Sequence, residues 1–201
     1  HAVLSDVCID LPLGKHLGVM GKTGSGKTIL ANVMMRFYDP TSGKVTLDGV
    51  NEKGVSIAVL TLDSEPTRQK TEGRPTIATS LVIRLVLDRA DSTEAAVNLI
   101  RGYAMLATSG RDYHFFITDA SGDSRVVEYD CDSSDRAMTV TRVEATTNFY
   151  AMHEDRVLPH QRNGRYGHGR ERYDSVMYVI ERTRGSATPE DAWEALRVSS
   201  Q

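Results

Sequence analysis

Apolar residues along this chain change their spacing several times, and each change marks an element. Near the start, "VLSDVCIDLPLGKHLGVM" alternates apolar and polar positions twice and breaks at Pro12 and Gly14. A period of two is the pattern of a half-buried strand, so two short strands joined by a turn are predicted. A helical stretch, "TILANVMMRFY", follows a glycine-rich loop. Further on, "VSIAVLTL" is apolar and β-branched and reads as a strand after the turn "NEKG". "TIATSLVIRLVLDRA" and "STEAAVNLIRGYAML" predict consecutive amphipathic helices, the second opened by Asp91 or Ser92 with Glu94 in its first turn. "YHFFITDASGDSRVVEYD" predicts a hairpin turning at "ASGDS", and "AMTVTRVEATTNFYAM" predicts more sheet. The polar stretch "HEDRVLPHQRNGRYGHGRERYD" precedes a helix at "SVMYVIERT". A last helix, "TPEDAWEALRVSS", has Thr188 as N-cap, Pro189 in its first turn and acids near its positive end.

Composition narrows the classes of function. The 201 residues, 40% hydrophobic and 25% charged, suit one large or two small globular domains and exclude disorder of the whole chain. A formal charge of -3, a pI near 6.1 and scattered basic residues argue against nucleic acid or an anionic membrane as partner. No apolar run approaches the roughly 20 residues that span a bilayer, and the first residues lack a basic-then-apolar leader, so a soluble, cytoplasmic chain without membrane insertion is expected. The chain opens at His1 without a methionine, which points to processing, trimming or excision from something longer. Cys8 and Cys131 show no metal-ligand spacing and are expected to be half-buried thiols. His153, His160 and His168 share the polar stretch, but their separations fit no compact ligand pattern; exposed loop histidines are the expectation.

"GKTGSGKT" carries the most specific chemistry. Gly21, Gly26, Lys27 and Thr28 fit GxxxxGK[ST], and the loop stands between a strand and a helix, as the motif requires. Gly21, Gly24, Ser25 and Gly26 let backbone N–H groups curl around phosphate oxygens. Lys27 adds charge at the outer phosphates, and the Thr28 hydroxyl suits a magnesium ion that arrives with the nucleotide. Over residues 2–50, from "VLSDV" through "RFYDPTSG" to "VTLDG", the sequence closely resembles the opening of the nucleotide-binding domain of ABC transporters. That resemblance implies Mg-ATP as ligand, an adenine-stacking aromatic upstream and, downstream, a Q-loop, an LSGGQ-like signature, an acidic strand and a switch histidine. "LATSG" (106–110) lacks the signature's second glycine and its glutamine, and in "FFITDA" (115–120) Ala120 stands where a catalytic glutamate should follow Asp119. Without a residue to polarise the attacking water, ATP turnover is not expected.

From Asp48 the sequence resembles a different family. "DGVNEKGVSIAVLTL", "TIATSLVIRLVLDRADSTEAAVNLI", "YHFFITDASGDSRVVEYD", "ATTNF" and "GRERYD" are similar, in order, to the choloylglycine hydrolase and penicillin V acylase group of N-terminal-nucleophile (Ntn) hydrolases, over residues 48–201. The resemblance implies a four-layer αββα sandwich and hydrolysis of a non-peptide C–N amide bond without a cofactor. It also implies a cysteine nucleophile at the first position of the mature chain, with its own α-amino group as base. His1 is first, and Cys8 falls in a strand phrase of the ABC-like segment, so the nucleophile is expected to be absent. Two supporting positions match: Asn148 as a neutral oxyanion donor, and Arg172 near the nucleophile, with Arg170 close enough to leave the register open. Each also fits a bland role, a turn asparagine and a solvated basic loop. At Thr61 the bile-salt hydrolases carry asparagine instead, which speaks against bile-salt chemistry.

Both likenesses share "DGV" at 48–50. The expected architecture is α+β: an incomplete Ntn-like αββα sandwich (residues 50–201) preceded by an incomplete P-loop strand-loop-helix segment (1–49). The expected function is that of a composite, natural or engineered, whose larger part derives from a linear-amide hydrolase and is inactive as given. The alternative is a nucleotide-binding fragment acting through its Walker A loop. A small acyl amide or a nucleotide is the expected partner.

Overall fold

The computed structural model describes residues 18–20, 22, 25–27, 29–30, 48–107, 110–184 and 186–199. By contact density the chain divides into two units, His1–Val45 and Thr46–Gln201. In the first, Ser25 and Gly26 form a bend and Lys27, Ile29 and Leu30 are helical, with the Leu30 N–H donating to the Gly26 carbonyl at 2.8 Å. Gly26 has φ +88°, a conformation glycine adopts without steric cost.

The second unit is mixed α/β. Its elements run β1 (Gly49–Val50), β2 (Ser56–Leu62), β3 (Thr76–Ala78), α1 (Thr79–Arg89), α2 (Thr93–Arg101), β4 (Ala104–Leu106), β5 (Asp112–Thr118), β6 (Ser124–Tyr129), β7 (Met138–Arg142), a 3-10 helix (Ala151–Arg156), α3 (Arg170–Thr183) and α4 (Pro189–Ser199). Five strands form an antiparallel sheet in the order β1-β2-β5-β6-β7, while β3 and β4 pair in parallel as a separate two-stranded sheet.

Period-two alternation decides which residues meet the helices. Across the large sheet Ile57 faces Ile117, Val59 faces Phe115, and Phe115 faces Val127. These side chains share one face and pack with Val82, Ile83 and Val86 of α1 and Val97 and Ile100 of α2 in one apolar core. The alternate positions are unusually polar for a buried face. Asp112, His114 and Glu128 are buried there, and both Glu128 carboxylate oxygens accept backbone N–H groups, from Ala151 at 2.9 Å and Met152 at 2.6 Å. That carboxylate opens the 3-10 helix.

Several expected elements hold. The turn before β2 forms on Asn51, whose Oδ1 accepts from Lys53 N and Val55 N; Ser92 caps α2 through Ala95 N at 3.2 Å; and the Thr188 hydroxyl accepts from Asp191 N at 3.3 Å. Three differ. "TIA" is β3 rather than the start of a helix, and "AML" is β4 rather than the end of one, because the two segments pair across α1 and α2. "FYAM" is not strand: Tyr150 is buried and the chain turns into the 3-10 helix on Glu128. "GRERYD" is helical from Arg170. Among the described residues no helix is long and apolar enough to cross a membrane.

Candidate functional site

Asn148 stands where three segments converge. Its Nδ2 donates to the carbonyl oxygen of Thr61, near the end of β2, at 2.9 Å. Its Oδ1 accepts from Arg172 Nη2, in the first turn of α3, at 3.0 Å. The amide is thereby fixed in one orientation, and a primary amide has two N–H donors, so Thr61 engages one and leaves the second for another acceptor. Asn148 and Arg172, predicted separately from sequence, are therefore brought together, and Thr61 joins them through its backbone. Arg170 points elsewhere: its Nε donates to Asp174 Oδ1 at 2.8 Å and its Nη1 to the Glu154 carbonyl at 3.1 Å.

Backbone contacts hold this cluster. The His168 N–H donates to the Asn148 carbonyl at 2.9 Å, Tyr150 N–H to the Tyr166 carbonyl at 2.9 Å, and the Thr147 hydroxyl to the Gly169 carbonyl at 2.9 Å. Residues 147–150 thus lie antiparallel to 166–169. Gly169, with φ +89°, precedes α3, and a Cβ there would stand 2.3 Å from Arg172 Nη2. The arginine reaches Asn148 because that space is free of side chain.

Charged groups surround the cluster. His168 Nδ1 is 2.9 Å from Asp63 Oδ2, and Arg111 Nη1 is 3.5 Å from Asp63 Oδ1. Buried Asp112 accepts from Tyr150 OH at 2.6 Å, from Arg136 Nη2 at 2.5 Å and from Thr67 N at 3.2 Å. Burial and then the Asp112 charge push the Tyr150 phenol above its ordinary range. The sequence reading missed this network; a carboxylate opening the apolar strand "DYHFFIT" was its only signal.

The histidines correct the expectation of exposed loops. His160 is exposed, but His153 is buried and His168 is half-buried. His153 lies in the 3-10 helix, packed against Tyr166 with ring centroids 4.6 Å apart. Cys131 is half-buried and free, as expected. Burial, then the Asp132 charge, push its thiol up, partly offset by Arg165, so it is not an activated nucleophile. Cys8 lies outside the described residues.

Of the P-loop, Gly21, Gly24 and Thr28 lie outside the described residues. Lys27 Nζ donates to the Lys22 carbonyl at 2.7 Å and lies 3.4 Å from Ser25 Oγ, so the ammonium folds back over the loop. Asp119 has a structural post: its carboxylate accepts from Thr93 N at 2.8 Å, at the start of α2, and from Ser121 N at 2.9 Å in the β5–β6 turn.

Comparison with known proteins divides along the chain. The ABC transporter family model matches residues 4–113. The ATP-dependent lipid A-core flippase of Vibrio vulnificus is 50% identical over 48 residues, 24% of this chain and 8% of that protein. ABC transporter B family member 1 of Arabidopsis thaliana is 32% identical over 95 residues, 47% of this chain and 7% of that protein. The chain thus spans less than a tenth of the length of these curated relatives. Among solved structures, penicillin V acylase from Agrobacterium tumefaciens superposes with a TM-score of 0.54 at 22% identity, covering 76% of this chain and 50% of that one. A variant of the conjugated bile acid hydrolase from Clostridium perfringens gives 0.58 at 17% identity, covering 76% and 58%. At these identities the likeness is one of fold.

Proposed function

Because the chain belongs to the ABC transporter family by its match over residues 4–113 and shares the fold of the Ntn amide hydrolases, we propose a composite protein whose hydrolase-like part keeps the carbonyl-holding side of an amide-hydrolase site. On this reading residues 1–49 are an incomplete P-loop segment and residues 50–201 an incomplete αββα sandwich, in a cytoplasmic protein. The carrying observation is Asn148 fixed between the Thr61 carbonyl and Arg172. A neutral N–H donor so oriented suits the oxygen of an acyl amide, because a preset dipole needs no reorganisation when the oxygen arrives. Arg172 anchors the amide and adds positive charge beside it. Turnover is not expected, since the described thiol, Cys131, is raised rather than activated.

Penicillin V is the probe. Titrated into the 15N-labelled chain, it is expected to shift the Asn148 side-chain amide resonance saturably, with about tenfold weaker binding in Asn148→Ala, the loss of one well-placed hydrogen bond. Equal affinity in parent and variant would sink the reading. Product release is expected from neither; if it occurs and persists in Cys8→Ala, that cysteine is not the nucleophile.

A second reading rests on the complete GxxxxGK[ST] spacing of Gly21 to Thr28: nucleotide binding, with Mg-ATP held by the loop and magnesium by Thr28. A ligand that binds only the folded state raises its stability, by about 2.7 kcal/mol at a hundredfold excess over Kd. Mg-ATP is expected to raise the melting temperature of the parent and not of Lys27→Ala; the same shift in both would refute it.

A further inference from the structure

The end of β6 and the 3-10 helix bring together three side chains that neither likeness uses. One ligand atom each from Asp130, Cys131 and His153 lies within 4.8 Å of the other two. The backbone kinks at His153, with φ -121° and ψ 24° inside the 3-10 segment, which turns the imidazole toward β6. That side chain is only 10% exposed. Its Nε2 is buried without a hydrogen-bond partner, 3.5 Å from Asp130 Oδ1 and 3.8 Å from Asp132 Oδ2, both longer than a good hydrogen bond.

An imidazole nitrogen removed from water and left without a partner is costly, and such groups ordinarily have an explanation in function or ligand. Asp132 is already committed, with Oδ1 2.6 Å from Arg165 and Oδ2 3.1 Å from Arg156. Asp130 has no such arginine partner among the described residues. The remaining set is one thiol, one imidazole and one carboxylate: soft, borderline and hard donors of the mixture that divalent zinc and its neighbours accept.

We propose that Asp130, Cys131 and His153 form a site for a thiophilic divalent metal ion of the zinc class. Metal–ligand bonds of about 2.0–2.3 Å in a tetrahedron place donor atoms roughly 3.5 Å apart. Donor atoms now within 4.8 Å of one another close by about 1 Å to reach that spacing, and Asp130 keeps an oxygen for the metal while its Oδ1 accepts from Asp132 N at 2.8 Å. The thiol proton passes to solvent as the metal binds, because the cation's charge outweighs the burial that otherwise keeps the thiol protonated. Cys131 also lines a cavity of about 570 Å³ with Arg111, Arg136 and Arg165 in its wall. Of the three ligands only Cys131 borders this cavity, so on this proposal a water or an anion completes the coordination from that side. Tyr166 against the His153 ring fixes its plane.

Cobalt(II) chloride is the test probe, since a thiolate ligand gives Co2+ a near-ultraviolet charge-transfer band. Titration of the full chain is expected to produce that band with one equivalent of Co2+, displaced by Zn2+. It should vanish in Cys131→Ser, persist unchanged in Cys8→Ser, and need at least about tenfold more metal in Asp130→Asn, the loss typical of a weakened metal site. Circular dichroism of each variant confirms its fold; Cys131→Ser is a near-isosteric change and keeps the test decisive where His153→Ala disturbs packing. A parent without the band, a band that survives in Cys131→Ser, or one lost in Cys8→Ser would overturn the proposal.

Discussion

At Gly167 the backbone has φ +101°, and a Cβ there would stand 2.2 Å from the carbonyl oxygen of Asn148 and 2.4 Å from the Cα of Phe149. Gly122, in the β5–β6 turn, has φ +86° with nothing within 4 Å of such an atom. The pair separates two costs of alanine. Gly122→Ala meets only the conformational penalty of a left-handed residue, about 1–2 kcal/mol. Gly167→Ala adds a clash with backbone that cannot rotate away, so its urea midpoint is expected to fall clearly further and the Asn148 amide resonance to move. Asp119 acts through charge. The Ser121 hydroxyl and then the Thr93 N–H hold its carboxylate well below the usual range. The folded state therefore binds that proton less tightly than the unfolded chain does. Its stabilising effect is fully present above the unfolded value of about 3.9 and is lost as pH falls below it toward the folded value. Thermal melts from pH 7 to 2 are expected to show a steeper acid decline in the parent than in Asp119→Asn; parallel curves would remove the assignment.

Elements differ in how much holds them. Phe115, fully buried between Val59 and Val127 on the core face of the sheet, is expected to cost about 3–5 kcal/mol as Phe115→Ala, read from the denaturation midpoint. α4 buries none of its residues, and Trp193, the chain's single tryptophan, is 72% exposed. The helix packs along α3 without burying a side chain fully, and the ion pairs that join the two, Arg182 to Glu194 and to Asp191, are surface pairs of a kind worth at most about 1 kcal/mol each. Native-state tryptophan emission is therefore expected to be red and readily quenched by iodide, and α4 amides to exchange faster than those of α2. The same contrast explains what the sequence disclosed. β2, the β5–β6 hairpin and the Ser92 and Thr188 caps were legible because each is written in neighbouring residues. β3 and β4 were not, since "TIA" and "AML" become strands only by pairing with each other across two helices. Asn148 and Arg172 were legible one by one through family phrases; that the arginine at 172 rather than 170 reaches the amide follows from Gly169, which no periodicity reveals. His153 was misread because its burial is set by Glu128 seizing the Ala151 and Met152 N–H groups, a long-range event.

For the whole molecule the decisive question is whether the unit Thr46–Gln201 stands without the residues before it. The core cluster of buried side chains runs from Val55 to Tyr129, and the residues that position Asn148 run from Thr61 to Arg172. All belong to the unit Thr46–Gln201. Hydrophobic burial is the dominant favourable term in folding and follows the area removed from water, so a unit that contains its own core should keep its own cooperative transition. A chain beginning at Thr46 is therefore expected to melt within a few degrees of the transition that the parent shows for this unit, and to bind penicillin V with parental affinity. Mg-ATP should leave its melting temperature unchanged, since Gly21 to Thr28 are gone. Loss of the transition on truncation would mean that the first unit supplies buried surface to the second, and the two likenesses would then have to be treated as one folding unit. Retention of the transition with loss of penicillin V binding would mean instead that the earlier residues complete the site around Asn148.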